Sequence, residues 1–252
     1  MGFYRPAQIV RAAREHGVEV RPVDVARSDW DCTLEPAGEG FAVRLGLRMV
    51  KGLSEKNAKA LRDARAIAPF AGIEDLWVRT ALPADILEKL AMADAFAGPF
   101  GLSRREALWA LKALCGRPLP LAPPAAEPAT HLTPMTAGRE VFEDYEMVGL
   151  TLRRHPVAFL RGELDRSGTL PCAALRDAVD GRIVTVAGLV LVRQHPGSAK
   201  GVVFITLEDE TGVVNLVIWL ALAQRQRRVL IESTLLAVDG ELQVADGVRH
   251  LI

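Results

Sequence analysis

The residues that say most about chemistry lie in LRMVKGLSEKNAKAL (47–61). Leu47, Val50, Leu53 and Leu61 supply apolar positions, Gly52 supplies a turn, and Ala58 is small enough for two helices to approach. This is the helix-hairpin-helix pattern, with Ser54 in place of its second glycine; a serine there can cap the helix that follows. Such a hairpin points backbone N–H groups and a helix N-terminus at solvent, an arrangement that suits a phosphate. Lys51, Gly52, Leu53, Ser54, Lys56, Asn57 and Lys59 are therefore the candidate contacts to duplex DNA. The charge agrees. Between 41 and 65, Arg44, Arg48, Lys51, Lys56, Lys59, Arg62 and Arg65 face only Glu55 and Asp63, a local excess of five. The blander reading is a basic surface helix in an ordinary bundle.

A second group lies in the C-terminal third. RQHPGSAKG (193–201) is a flexible basic loop between two strand-like runs. Arg182, Arg193, His195 and Lys200 supply cations, and Phe204 and Trp219 supply stacking faces. Together they are the candidate single-strand site, because bases stack on aromatic rings while cations follow the backbone. Strand alternation could instead bury Phe204 or Trp219 in a core. A second hairpin over 82–114, with AGPFGLS (97–103) between its two helices and Arg104 and Arg105 opening the second, reads as a packing element first and a DNA contact second.

Catalytic constellations are absent from the sequence. Asp209 and Glu210 sit in LEDETG, where acidic residues start turns. Glu143 and Asp144 have no partner motif, and His155 and His250 have no ligand at useful spacing. There is no P-loop, GxSxG or HExxH, so no catalytic or metal-binding residue is assigned.

These residues need elements to hold them. Residues 7–16 read as a helix closed by Gly17, 18–25 as extended, and 26–40 as irregular, ending in the turn AGEG. From 41 to 115 the pattern is helical, with Ser54, Pro83 and Ser103 as helix starts. Residues 116–130 carry five prolines and read as a semi-extended linker. A helix-like block follows at 139–152. From 182 the period becomes two, giving five strands with a helix (220–232) between the third and fourth. That is the arrangement of an oligonucleotide/oligosaccharide-binding (OB) barrel. Its last strand runs to Ile252 with no closing segment, which predicts a bare edge or a shortened domain. The fold class is thus multidomain α + β: a helical tandem helix-hairpin-helix region, then a five-stranded OB-type barrel.

The 252 residues balance 31 Lys plus Arg against 31 Asp plus Glu, which excludes a uniformly basic or polyanionic protein. Local clustering still permits a nucleic-acid partner. From 182 to 252 seven basic residues meet seven acidic ones, so single-strand binding there is expected to be weak. Cys32, Cys115 and Cys172 are sparse and lack metal-ligand spacing, which suits a reducing cytoplasm. No signal peptide and no membrane-spanning apolar run is present.

The order of PxxIVxxAREHGVEVRPVDV, LGLRMVKGLSEKNAKAL, EMVGLTLRRHP and VAGLVLVRQHPGSAKGVVFITLEDETG resembles the C-terminal portion of bacterial family C DNA polymerases, the polymerase III alpha subunit family. SDWDCTLE (28–35), GLRMVKGL (46–53) and 192–219 are most similar to its error-prone, damage-inducible (ImuC-type) branch. The resemblance implies the end of a fingers-like region at 1–40, tandem hairpins at 41–115 and an OB domain at 182–252, with the Pro-rich linker read at 116–138 and the connecting helical segment at 139–181 between them. It implies a part that holds primer-template DNA and single-stranded template in damage-induced translesion synthesis. It also implies a palm, with its catalytic carboxylates and Mg2+, outside this chain. The clamp-binding peptide of replicative members begins at none of Gln8, Gln194, Gln224, Gln226 and Gln243, and Leu220 stands where the family usually has Pro. An accessory mutagenesis protein that links to the sliding clamp is therefore the expected protein partner. The alternatives are a non-enzymatic docking adaptor and a fragment of a replicative alpha subunit.

Overall fold

A computed structural model describes residues 6–114, 132–197, 201–245 and 247–252. The chain forms two compact units, Met1–Arg153 and Arg154–Ile252. The division falls inside the segment read from sequence as a single connecting stretch (139–181).

The first unit begins with helix α1 (Pro6–Glu15), which ends at Gly17 with φ +79°. A short strand β1 (Val20–Arg21) pairs in parallel with β3 (Gly40–Arg44), and β3 pairs antiparallel with β2 (Thr33–Ala37). This sheet corrects two expectations. Residues 26–40 are only partly irregular, and 41–44 are strand rather than helix. The AGEG turn is where the sequence places it, with Gly38 at φ +56°, but it joins two five-residue strands. Their signal is weak because β2 is an edge strand carrying Pro36, a position that proline tolerates.

The helical part follows. A 3-10 turn (Leu47–Met49) leads through Gly52 into α2 (Glu55–Ile67). Ser54 caps α2, its hydroxyl accepting from the Asn57 N–H at 3.3 Å. Next come α3 (Ile73–Thr80), α4 (Ala84–Met92, started by Pro83), the short α5 (Ala97–Phe100) and α6 (Arg104–Leu114). Ser103 starts α6 through a capping box with Glu106. Helix α7 (Ala137–Val148) ends at a left-handed Gly149. The apolar residues that the hairpin pattern singled out, Leu47, Val50, Leu53, Ala58 and Leu61, share one core with Val23 and Val25 from the N-terminal stretch. The proline-rich run, residues 116–130, lies outside the described residues.

The second unit opens with two short turns around α8 (Arg161–Arg166) and then builds the barrel. Its strands are β4 (Ile183–Gln194), β5 (Val203–Glu208), β6 (Val213–Ile218), β7 (Leu235–Ala245) and β8 (Val248–Leu251). They close in the order β4-β5-β6-β8-β7, with β7 returning to β4. The expected bare edge is corrected: β8 is parallel to β6 on one side and antiparallel to β7 on the other. Between β6 and β7 the single helix expected is two, α9 (Leu220–Arg225) and α10 (Arg227–Glu232), broken at Gln226. Leu230 turns into the barrel core beside Val186, Ile205, Leu207, Leu216 and Leu251.

Candidate nucleic-acid interface

The hairpin turn is built by its glycine. Gly52 has φ +78°, a conformation in which any other side chain is strained. A Cβ at this position would also meet Lys89 of α4, at 3.3 Å from Cε and 3.4 Å from Nζ. Lys89 thus lies over the turn, its Nζ 3.0 Å from Asp85. The sequence reading missed it, since 37 residues separate the two and no local spacing links them. Among the described residues, the N–H groups of Gly52, Ser54, Glu55 and Lys56 make no hydrogen bond. The dipole of the 13-residue α2 lies behind them, an arrangement of the kind that suits an anion.

The candidate contacts divide by their surroundings. Lys51, Gly52, Ser54, Lys56 and Lys59 are exposed, and Asn57 is partly so. Leu53 is a correction: its side chain is buried in the core and its N–H donates to Val50 O, so it packs the turn instead of touching a ligand. The Lys51 N–H is bound to Met147 O at 2.8 Å, which leaves only its side chain free to reach out.

The local excess of positive charge is also corrected. Acidic residues from outside 41–65 fold back onto it. Glu35 takes Arg44, Asp31 takes Arg48, Asp29 takes Arg65, and Glu146 stands 3.8 Å from Lys51. Arg44 is buried, and its guanidinium also donates to Pro22 O, so it belongs to the scaffold. Hydrogen bonds from Arg44, and then from Arg21, outweigh burial and hold the Glu35 carboxyl at about 2. Lys56 and Lys59 have no carboxylate within salt-bridge distance among the described residues. The Lys51, Arg48 and Arg62 pairs are exposed, and such pairs are worth little in water. The exposed positive surface is therefore Arg48, Lys51, Lys56, Lys59 and Arg62, with Lys89 beside it sharing its charge with Asp85.

The second hairpin has the same local parts, a left-handed Gly101 and a serine cap, but Arg104 is fully buried. It donates to Met92 O and pairs with Glu140 and Asp144 of α7. Asp144 also accepts from Thr151 and Arg153, and Arg153 reaches Asp94 at 2.8 Å. The partner that Asp144 lacked in sequence is thus Arg104, 40 residues away. Arg105 donates to Thr133 O.

In the barrel unit, the register Gln194↔Phe204 and Val203↔Ile218 puts Arg193, His195, Phe204 and Trp219 at one end. Both rings stay out of the core. Phe204 alternates with the buried Ile205 and is 36% exposed, while Trp219 is 58% exposed. His195 is exposed; Arg193 donates to Ser233 O. Arg182 is not brought to them, because it precedes the 12-residue β4 at its other end, on the order of 30 Å away at strand rise. Lys200 lies outside the described residues. Leu220 fills the space beside Gly201, where a Cβ would come within 2.6 Å of its Cδ1.

Asp209 starts its turn as expected, accepting from Thr211 N and Gly212 N, but it does more. It is buried, takes the Cys172 N–H at 2.7 Å and pairs with Arg161, which also holds Glu210. Burial raises its pKa, but the hydrogen bonds from Thr211, Cys172 and Gly212 bring it below the usual value. Burial, and then the Asp209 charge, push the Cys172 thiol up to about 12, so it stays protonated and unreactive. Among the described residues, no group of three or more His, Cys, Asp or Glu is placed to hold a metal ion.

Sequence-family profiles match both units. One described as a helix-hairpin-helix motif covers residues 17–107. One described as an OB-fold nucleic acid binding domain covers 184–252. The whole chain is 53% identical to "Error-prone DNA polymerase 1" of Agrobacterium fabrum, aligned to 25% of that protein. It is 50% identical to "Error-prone DNA polymerase 2" of Rhizobium meliloti and 45% identical to "Error-prone DNA polymerase" of Methylococcus capsulatus, aligned to 24% and 26% of their lengths. The chain spans about a quarter of the length of the curated relatives it matches.

Proposed function

We propose that this chain is the DNA-holding, C-terminal part of a family C, ImuC-type error-prone polymerase acting in translesion synthesis in the cytoplasm. The observation that carries the reading is the Gly52 turn, where unbonded N–H groups meet Lys51 and Lys89 on a chain so similar to polymerases of that name. The hairpin grips the phosphates of the primer-template duplex through Lys51, Lys56, Lys59 and Lys89. The barrel end with Arg193, His195, Phe204 and Trp219 touches the single-stranded template. Nucleotide addition, with its carboxylates and Mg2+, belongs to another part of the polymerase.

Fluorescence anisotropy with duplex, primer-template and single-stranded DNA at two salt concentrations tests this. Each phosphate neutralised contributes about −0.9 to the log–log salt slope on duplex. Lys51→Glu with Lys56→Glu is expected to weaken duplex binding and flatten the slope by up to about 2. An unchanged slope removes the hairpin from the interface. Primer extension by the purified chain is the second test, and robust metal-dependent extension would place the chemistry here instead.

An accessory protein that links to the sliding clamp is part of the proposal. The exposed Leu222, Val229 and Ile231 of α9 and α10 favour a protein contact on the barrel unit. If no DNA binds at low salt, the adaptor reading takes over.

A further inference from the structure

Beside the hairpin turn, α2 and Trp30 border an open concavity of about 240 Å3 lined by Trp30, Glu55, Lys56, Ala58, Lys59 and Arg62. Its composition is specific. Lys56 and Lys59 are the two cations of the 41–65 run without a carboxylate partner among the described residues, and Arg62 has only the adjacent Asp63, at 3.6 Å. Trp30 is partly buried against the core, so its ring is held in place, not free to swing. The segment that carries it is fixed too. Arg48 N–H donates to Trp30 O, and Gly46 lies so close beneath that a Cβ would come within 2.5 Å of the Asp31 carbonyl carbon. A fixed indole beside three cations is the pairing that takes a nucleobase and its phosphate together.

We propose that this concavity receives a single unstacked nucleotide, its base on Trp30 and its phosphate on Lys59 and Arg62. Glu55 at the helix start repels the phosphate and accepts from an exocyclic amine, which sets the orientation. The inference rests on the duplex-holding reading above: the Gly52 turn holds paired strands, and the Trp30 site takes a nucleotide that has left the stack. The ligand is either a nucleotide displaced from a bound strand or a free mononucleotide.

The test compares a labelled duplex carrying one extrahelical nucleotide with the same duplex fully paired, using the full chain. Stacking of one base is expected to make the bulged duplex bind roughly 5- to 100-fold tighter. Trp30→Ala is expected to erase that preference while leaving the paired duplex bound. Because Trp30 touches the core, Arg62→Gln provides an exposed variant, outside the duplex-gripping lysines, that must reduce the preference without altering the melting temperature. Titration with dAMP separates the two sources: saturable tryptophan quenching that Trp30→Phe removes assigns the site to free nucleotide as well. Equal affinity for both duplexes together with no dAMP quenching overturns the proposal, as does a preference that survives both Trp30→Ala and Arg62→Gln. Loss of paired-duplex binding in the wild-type chain would instead refute the duplex reading beneath it.

Discussion

The two hairpins of the first unit use the same local grammar and put their cations to opposite use. Each has a left-handed glycine, Gly52 or Gly101, then a serine cap, Ser54 or Ser103, then basic residues in the next helix. At the first, the lysines stand in water around unbonded N–H groups. At the second, Arg104 is drawn wholly inside and satisfied by Met92 O, Glu140 and Asp144. The difference is what packs behind each turn. Helix α7 brings two carboxylates onto the buried Arg104 of the second hairpin, whereas at the first its Glu146 stands 3.8 Å from an exposed Lys51, and Lys89, paired with Asp85, lies over the turn. Helix-hairpin-helix spacing therefore gives the turn, and the neighbouring element decides whether its cations stay in solvent or are drawn into the fold.

The largest expected effect tests the structural side of that contrast. Arg104→Ala leaves Glu140 and Asp144 without their buried partner and is expected to cost about 3–5 kcal/mol, read by urea denaturation. A loss under 1 kcal/mol would mean that α7 is held by other contacts. The ligand side comes next. Lys51→Glu with Lys89→Glu is expected to weaken duplex binding at least tenfold and flatten the salt slope by up to about 2, with the protein still folded though slightly less stable because each new carboxylate faces Glu146 or Asp85. Should Lys89→Glu alone have no effect, that lysine covers the turn without serving it.

The glycines sharpen the comparison further. Ala at Gly52 or Gly101 incurs the left-handed strain of about 1–2 kcal/mol. Only at position 52 does the new Cβ also meet a lysine; at 101 nothing lies within 4 Å. Gly52→Ala should therefore weaken DNA binding and Gly101→Ala should not, measured on folded protein at equal salt. Equal losses would make both turns DNA contacts.

The smallest effect separates scaffold from free cations within the first hairpin. Glu35 has its carboxyl held at about 2 against an ordinary 4.5. Its folded value is depressed, so its contribution is complete above about 4.5 and is lost as pH falls from there through about 2. Glu35→Gln should flatten the acid side of the stability curve in that window and leave the salt slope of DNA binding at neutral pH unchanged. A change in that slope would return Arg44 to the interface.

Much of this molecule is legible in its residues because the signals are local. Alternation marks all five barrel strands, and serine, proline and glycine mark the helix starts and stops, since capping and backbone conformation depend on a few neighbouring residues. The Gly52 turn and the exposed lysines of α2 belong to that class. What tertiary structure decided depends on residues far apart. The pairing of the last strand with β6, the burial of Leu53 and Arg104, and the arrival of Lys89 over Gly52 all come from contacts that no local period records. Charge shows the division best. Sequence placed five excess positive charges in one run, and the fold neutralised part of it with Asp29, Asp31, Glu35 and Glu146 from outside. Coulomb attraction acts through space, so only packing could determine which cations were left for a ligand.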